Sequence, residues 1–419
     1  MPSPFQPPSR LRRALLPLVL PALLLPSAQA APAPTLKIGM SAAFTGASAG
    51  LGTEYYRGAK AYFDQVNAAG GVHGRRLTLV ALDDGYQPER AAANTARLIE
   101  QERVFTLFNY VGTPTLTAAL PILKTFEGQG LSLVGTLTGA QIQRTLPYAP
   151  QVFNVRPSYA QEMEAQVEQL WRAGVRKFGV FYQLDAYGRS GTEAVARALA
   201  KRGAKITAEA TYRRGATVDA DMGAAVRHLR EADVEVVLGT GAYQGMAAFV
   251  RTARDADWTV PITNVSFVSA DNLLTLLQEA GRKSGRDYTR GLLNTQVVPS
   301  YADTRYPLVR EYRQLMDKWN PTVPAALRDP QYRPVTYTFV GLEGFLNAKV
   351  LVEGLRAAGP NPTRARFRSG LERLRLDVGL EERLSFSRDR HQGLGRVFLT
   401  TVQDGRWVTV PKWTVSRAR

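Results

Sequence analysis

Between residues 36 and 256 short apolar runs alternate with amphipathic stretches of helical period, and the pattern is played through twice. In the first round residues 36–40, 77–82, 105–109 and 131–134 read as strands. Residues 51–68, 88–102 and 115–129 read as the helices between them, with Pro88 where proline suits a first helical turn. In the second round strands are expected at 177–182, 204–211 and 234–239, and helices at 158–173, 190–202, 222–232 and 244–256. Strands separated by helices pair in parallel, so the chain is expected to be α/β, with two Rossmann-like lobes built on parallel sheets and joined by a hinge. The repeat is a whole lobe long, so a short-period solenoid is not indicated.

Beyond Pro261 the order changes. Residues 262–267 and 292–298 are strand-like, and 271–280, 306–319 and 336–358 helical, the last carrying Gly341 and Gly344. Two further β runs, 396–401 and 406–410, flank a turn at Asp404-Gly405. The expected division is a leader at 1–30, a first lobe at 31–154, a second lobe at 155–264, a return to the first lobe at 265–393, and the second lobe with its tail at 394–419. Crossings near Val155-Arg156, Asn264-Val265 and Gly393 are the expected hinge.

The leader has the pattern of a cleaved secretory signal. Arg10, Arg12 and Arg13 form a basic start, residues 14–26 an apolar core broken by Pro17, Pro21 and Pro26, and Ala28-Gln29-Ala30 a small-residue cleavage site. The apolar core is too short to span a membrane, and no later run reaches roughly 18 apolar residues, so the mature chain is expected to be soluble. There is no cysteine. Disulfides, thiolate nucleophiles, cysteine zinc sites and a lipid-modified cysteine are excluded together. A cleaved, untethered product is expected in the periplasm. At 419 residues the chain exceeds what one hydrophobic core serves, which again asks for two lobes. Its formal charge of +17 raises the question of nucleic acid. The basic residues are scattered, mostly arginine, and never cluster with aromatics, so no nucleic-acid partner is expected.

Enzyme motifs are weak. Gly239-Thr240-Gly241-Ala242-Tyr243-Gln244-Gly245 has GxGxxxG spacing where a dinucleotide loop needs GxGxxG, and no P-loop lysine follows. Asp83 and Asp84 are adjacent at a strand end and so point to opposite sides, which favours structural roles over a shared proton or metal. The three histidines, His73, His228 and His391, are far apart and suggest no metal site. Gly188-Arg189-Ser190-Gly191 lacks nucleophile-elbow spacing. Neither an enzymatic activity nor a cofactor is expected. More informative are Gly112-Thr113-Pro114-Thr115 and Gly135-Thr136-Leu137-Thr138-Gly139, each after a first-lobe strand. Both place hydroxyls and backbone N–H groups at the carboxyl edge of a parallel sheet, as a ligand carboxylate requires. Helix capping by Thr115 and Thr138 is the competing reading.

With Lys37-Ile38-Gly39, Phe44-Thr45-Gly46, Arg57-Gly58-Ala59, Asn67-Ala68-Ala69-Gly70-Gly71-Val72-His73-Gly74, Asp83-Asp84 and Asp185-Ala186-Tyr187-Gly188-Arg189-Ser190-Gly191, the chain resembles the leucine/isoleucine/valine-binding group of periplasmic binding proteins. The likeness runs from about residue 37 to 410. It implies the type I bilobed fold and a substrate-binding protein that delivers its ligand to an ABC permease, with a monomer as the expected state. A sensor of the same fold, signalling to a regulatory partner, is the alternative. The resemblance also implies site residues. Gly112, Thr113, Leu137 and Thr138 would hold the ligand carboxylate, the turn from Gly46 to Leu51 would cover the ligand, and Tyr187, Ala242 and Tyr243 would close over it from the second lobe. Amino-acid-binding members carry an acid near Val265 to clamp the ammonium group, and here Ser266 stands in its place. Either another acid such as Asp185 serves, or the ligand is a carboxylate, aromatic acid or amide.

Overall fold

The computed structural model describes residues 1–6 and 34–414, so most of the expected leader lies outside the described residues. The first half runs β1 (Thr35–Ala42), α1 (Ala49–Ala68), β2 (Arg76–Asp83), α2 (Pro88–Glu100), β3 (Thr106–Val111), α3 (Thr113–Thr125), β4 (Leu133–Leu137) and β5 (Val152–Phe153). These strands form one parallel sheet in the order β2-β1-β3-β4-β5. β3 and β4 are buried along their whole length, which is why they read as continuous apolar runs without alternation.

The second half continues with α4 (Tyr159–Arg172), β6 (Phe178–Gln183), α5 (Ala186–Ala200), β7 (Ala208–Tyr212), α6 (Gly223–Glu231), β8 (Val236–Thr240), α7 (Tyr243–Asp255), β9 (Ile262–Asn264), α8 (Ala270–Ser284) and β10 (Leu292–Gln296). Then follow α9 (Pro307–Trp319), α10 (Phe339–Ala358), α11 (Arg364–Glu372), the short pair β11 (Arg375–Leu376) and β12 (Leu384–Ser385), and finally β13 (Phe398–Gln403) and β14 (Arg406–Val410). The second sheet has the order β14-β13-β10-β9-β8-β6-β7.

Three expectations change. The second sheet is mixed, because β13 runs antiparallel to β10 and β14 antiparallel to β13. The chain does not leave the second sheet at residue 265: β10 pairs in parallel with β9 inside it, and the return to the first lobe comes between β10 and α9. The helix expected from residue 190 starts at Ala186, with the Asp185 carboxylate accepting hydrogen bonds from the N–H groups of Tyr187 and Gly188. Tyr187 thus stands on a rigid first turn and not in a loop.

The two segments that join the halves lie side by side. Asn154 N–H donates to His391 O at 2.7 Å, Gly393 N–H to Asn154 O at 2.8 Å and Leu394 N–H to Val155 O at 2.9 Å. In the first lobe α1 and α10 cross closely. A Cβ on Gly58 would lie 1.8 Å from Gly341 O, and one on Gly344 2.3 Å from Tyr55 O. These glycines therefore set the helix separation. In both sheets the strand order reverses, at β1 and at β6. The loops after β1, β3, β6 and β8 consequently open onto switch points, where α/β sheets leave a crevice for ligands.

Candidate functional site

The loops at the two switch points meet. Gly112 ends the backbone of β3 at φ 96°, and its N–H donates to Leu137 O at 3.2 Å, tying the loops after β3 and β4 together. Thr113 Oγ1 and Thr138 Oγ1 are 2.7 Å apart and both residues are buried. Thr138 Oγ1 also accepts from Ala140 N–H at 3.2 Å. Gly112 brings no side chain to cap α3, so the positive end of that helix is left beside the threonine pair. Leu51 is fully buried on the first turn of α1.

From the second lobe, Tyr187 is fully buried with its ring 4.5 Å from Phe267 and 5.4 Å from Tyr159. Ala242 N–H donates to Tyr212 Oη at 2.9 Å. Tyr243 opens α7, and its Oη accepts from Gly50 N–H of the first lobe at 3.3 Å. Ala242 and Tyr243 are therefore brought to the lobe contact. Beside Tyr243 lies a pocket of about 360 Å³, lined by Gly46, Ala47 and Ala49 from the first lobe, Gln244 and Asn272 from the second, and the segment 329–335. Tyr332 Oη of that segment donates to Glu54 Oε1 at 2.7 Å and lies 3.1 Å from Asn272 Oδ1, which joins the lobes at the mouth.

Two residues that the sequence did not single out complete the site. Tyr86 follows the Asp83-Asp84-Gly85 turn at φ 62°, a conformation rare for a bulky side chain, held by its own N–H donating to Asp84 Oδ1 at 2.9 Å. A Cβ placed on Gly112 would fall 2.1 Å from the Tyr86 ring, so only glycine there admits the ring. Tyr159 opens α4, and its N–H donates to Gly139 O at 2.7 Å. Contacts thus run in a closed ring through Thr113, Thr138, Gly139, Tyr159, Tyr187, Phe267, Tyr86 and Gly112, with Phe267 and Tyr86 6.0 Å apart. The buried hydroxyl of Tyr86 faces Gln183 and that of Tyr159 faces Thr138, neither in the geometry of a full hydrogen bond.

Ser266, in place of the expected acid, points into a buried charge network. Its N–H and Oγ donate to Glu162 Oε2 and Oε1 at 2.8 and 2.9 Å, and Arg156 donates to its Oγ. Arg156 Nη2 binds Glu162 at 2.9 Å, and Nη1 lies 3.5 Å from Glu343. Asp185 is fully engaged as the α5 cap and in accepting from Gln183 Nε2 at 2.5 Å, with Arg214 at 3.5 Å. It does not stand in as a free clamp for an ammonium group.

Asp83 and Asp84 take the structural roles their adjacency favours. Asp83 accepts from Phe44 N–H, Thr45 N–H and Thr45 Oγ1, pinning the turn after β1, while Asp84 accepts from Ser41 Oγ and Tyr86 N–H. Burial pushes the carboxyls of Asp84, Asp271 and Glu343 up to about 7. All three lie above their unfolded values, so between about pH 4 and 7 the folded chain holds protons that the unfolded chain has released. Stability should fall as pH rises from about 4 to 7 and level off above, by up to about 1.4 kcal/mol per pH unit for each such proton. His391, lowered by burial, opposes this with one proton below its unfolded value. The expected outcome is a higher thermal midpoint at pH 5.5 than at pH 8.5, read by calorimetry in one ionic strength.

The sequence of residues 35–406 matches the periplasmic binding protein family, and the chain belongs to it. An amino acid binding protein of Pseudomonas aeruginosa is 26% identical over 326 residues, covering 77% of this chain and 79% of that protein. A possible leucine/isoleucine/valine-binding protein from Rhodopirellula baltica superposes with a TM-score of 0.80 at 31% identity, covering 91% of this chain and 98% of that one. A substrate-binding periplasmic protein from Ralstonia solanacearum gives a TM-score of 0.77 at 30% identity, covering 90% of this chain and all (100%) of that one. The chain thus belongs among binding proteins and not enzymes. Among the described residues no helix is long and apolar enough to cross a membrane.

Proposed function

We propose that this chain is the periplasmic ligand-binding component of an ABC importer, holding a small organic ligand by its carboxylate between two lobes that close over it. The observation that supports this most strongly is the buried Thr113–Thr138 hydroxyl pair at 2.7 Å, set at the carboxyl ends of neighbouring parallel strands beside the uncapped start of α3. Hydroxyls and helix N–H groups together stabilise a carboxylate. Gly112 and Leu137 hold the two loops in register, Leu51 anchors the covering turn, and Tyr187, Ala242 and Tyr243 belong to the opposing wall, while Ser266 is turned into the buried charge network behind it. Closure would be a rotation about the paired segments 154–155 and 391–394 and the third crossing between β10 and α9. The closed form would then be the surface a permease recognises.

Native mass spectrometry of the protein as purified should reveal a bound small acid, which calorimetry on the stripped protein then quantifies. Thr113→Ala and Tyr187→Ala are each expected to weaken that binding at least tenfold, the size of one lost hydrogen bond to a charged group. Unchanged affinity in both variants would place the ligand elsewhere.

A further inference from the structure

We propose that residues 321–335 form a strap of the first lobe that latches onto the second, and that the Tyr332 hydroxyl, set between Glu54 and Asn272, is the latch. This rests on the lobes rotating about their crossings, and it names what holds them together at the far side from the hinge.

The strap joins α9 to α10, both of which pack on α1. Its base is pinned to α1 by one buried guanidinium. Arg57 Nε donates to Pro321 O at 2.9 Å and Nη1 to Val335 O at 2.6 Å, so the two ends of the strap are held together. Glu54, buried one turn earlier, takes Arg57 Nη1 on Oε2 at 2.7 Å and Val335 N–H on Oε1 at 2.9 Å. Further along, Asp329 Oδ2 accepts from Gly46 N–H at 2.8 Å. All these partners belong to the first lobe. Tyr332 differs, because its Oη also lies 3.1 Å from the side chain of Asn272, on the first turn of α8 in the second lobe.

The joint is shaped for these two side chains. Gly50, on the first turn of α1, leaves free the space where they meet: a Cβ there would lie 2.6 Å from the Asn272 amide and 2.8 Å from the Tyr332 ring. The contact also has a direction. Tyr332 gives its one proton to the Glu54 carboxylate at 2.7 Å, so the Asn272 side must donate. The amide does so with Nδ2 towards Tyr332 and Oδ1 towards the Ser269 hydroxyl on its other side. Glu54, Tyr332, Asn272 and Ser269 then form one chain of donors and acceptors from α1 into the second lobe, ending on a buried charge that strengthens it. Asp329, Gln331, Tyr332 and Arg333 of the strap also wall the pocket of about 360 Å³ between the lobes, so releasing the latch opens that pocket.

The chain has no cysteine, so two introduced cysteines take two spin labels and nothing else does. Glu100→Cys and Glu231→Cys place them on the exposed last residues of α2 in the first lobe and α6 in the second. Double electron–electron resonance on the ligand-free mature protein then reads the separation of the lobes. The expected result is that the ratio of short to long distances falls about fivefold in Tyr332→Phe and in Asn272→Ala, the size of one hydrogen bond to a charged partner. The double variant should fall no further than either single one, because both remove the same bond. Asn272→Asp, which turns the donor into a carboxylate beside Glu54, should fall further than Asn272→Ala. If the parent shows both distances and neither Tyr332→Phe nor Asn272→Ala shifts their ratio, the latch is overturned while lobe closure stands. One distance shared by the parent and every variant overturns the latch and the closure together.

Discussion

Replacing Arg156 with methionine is expected to destabilise the protein by about 3–5 kcal/mol, the cost of leaving buried carboxylates without their cation. Arg156 is 1% exposed and faces Glu162 at 2.9 Å and Glu343 at 3.5 Å. Glu162 is itself fully buried and organises Ser266 and Thr295, so its charge has no route to water once the guanidinium is gone. Burial already pushes Glu343 up to about 7, and loss of Arg156 removes the main influence that lowers it. The loss should therefore appear first as uptake of a proton at Glu343 and a stability that drops more steeply with rising pH. Denaturant titration at pH 6 and pH 8 reads both effects. A double variant, Arg156→Met with Glu162→Gln, should recover part of the loss because the orphaned charge goes too. An Arg156→Met protein as stable as the parent at pH 8 would show that the network is solvated in solution.

The second large effect is expected at the α1–α10 crossing. Gly58→Val should cost about 3 kcal/mol or more, because even the first added carbon would sit 1.8 Å from the Gly341 carbonyl oxygen. Main chain lies on both sides of that contact, so no side-chain rotation relieves it. The helices must separate, which loosens the packing around Tyr55 and Leu342, both fully buried. Gly58→Ala should show a smaller loss in the same direction, and the pair of thermal midpoints measures how far the helices yield. A stable, soluble Gly58→Val protein would mean that the crossing is wider than described.

Much of the first lobe was legible because each of its strands and helices announces itself locally. The threonine loops could be placed at one sheet edge because they follow neighbouring strands, and both β3 and β4 do end there. Tyr86 was not legible. A tyrosine after Asp-Asp-Gly looks like any turn residue, and only its left-handed backbone and the bare Gly112 opposite turn its ring into the cleft. Tyr159 was hidden in the same way at the first position of α4. The start of α5 was misplaced because Gly188 and Gly191 suggest a loop. In the fold those glycines let the helix press on Gln183 O and Thr240, where a Cβ would lie 1.9 and 2.3 Å away. The destination of β10 could not be read, since a strand's sheet depends on pairing partners far along the chain. Ser266 was visible as a departure, but the residue that fills its surroundings, Glu162, comes from 104 positions away.

The ring of contacts passes between the lobes at two places of different strength. At Gly139–Tyr159 the lobes share a main-chain hydrogen bond of 2.7 Å, a few residues from the paired segments around Asn154. At Tyr86–Phe267 they share only two tilted rings 6.0 Å apart. A rotation of one lobe against the other therefore parts the enclosure on its aromatic side while the threonine corner stays whole. A ligand entering by that route would pass between Tyr86 and Phe267 before its carboxylate reached the threonine corner, so the two rings stand at the gate and the hydroxyls at the seat.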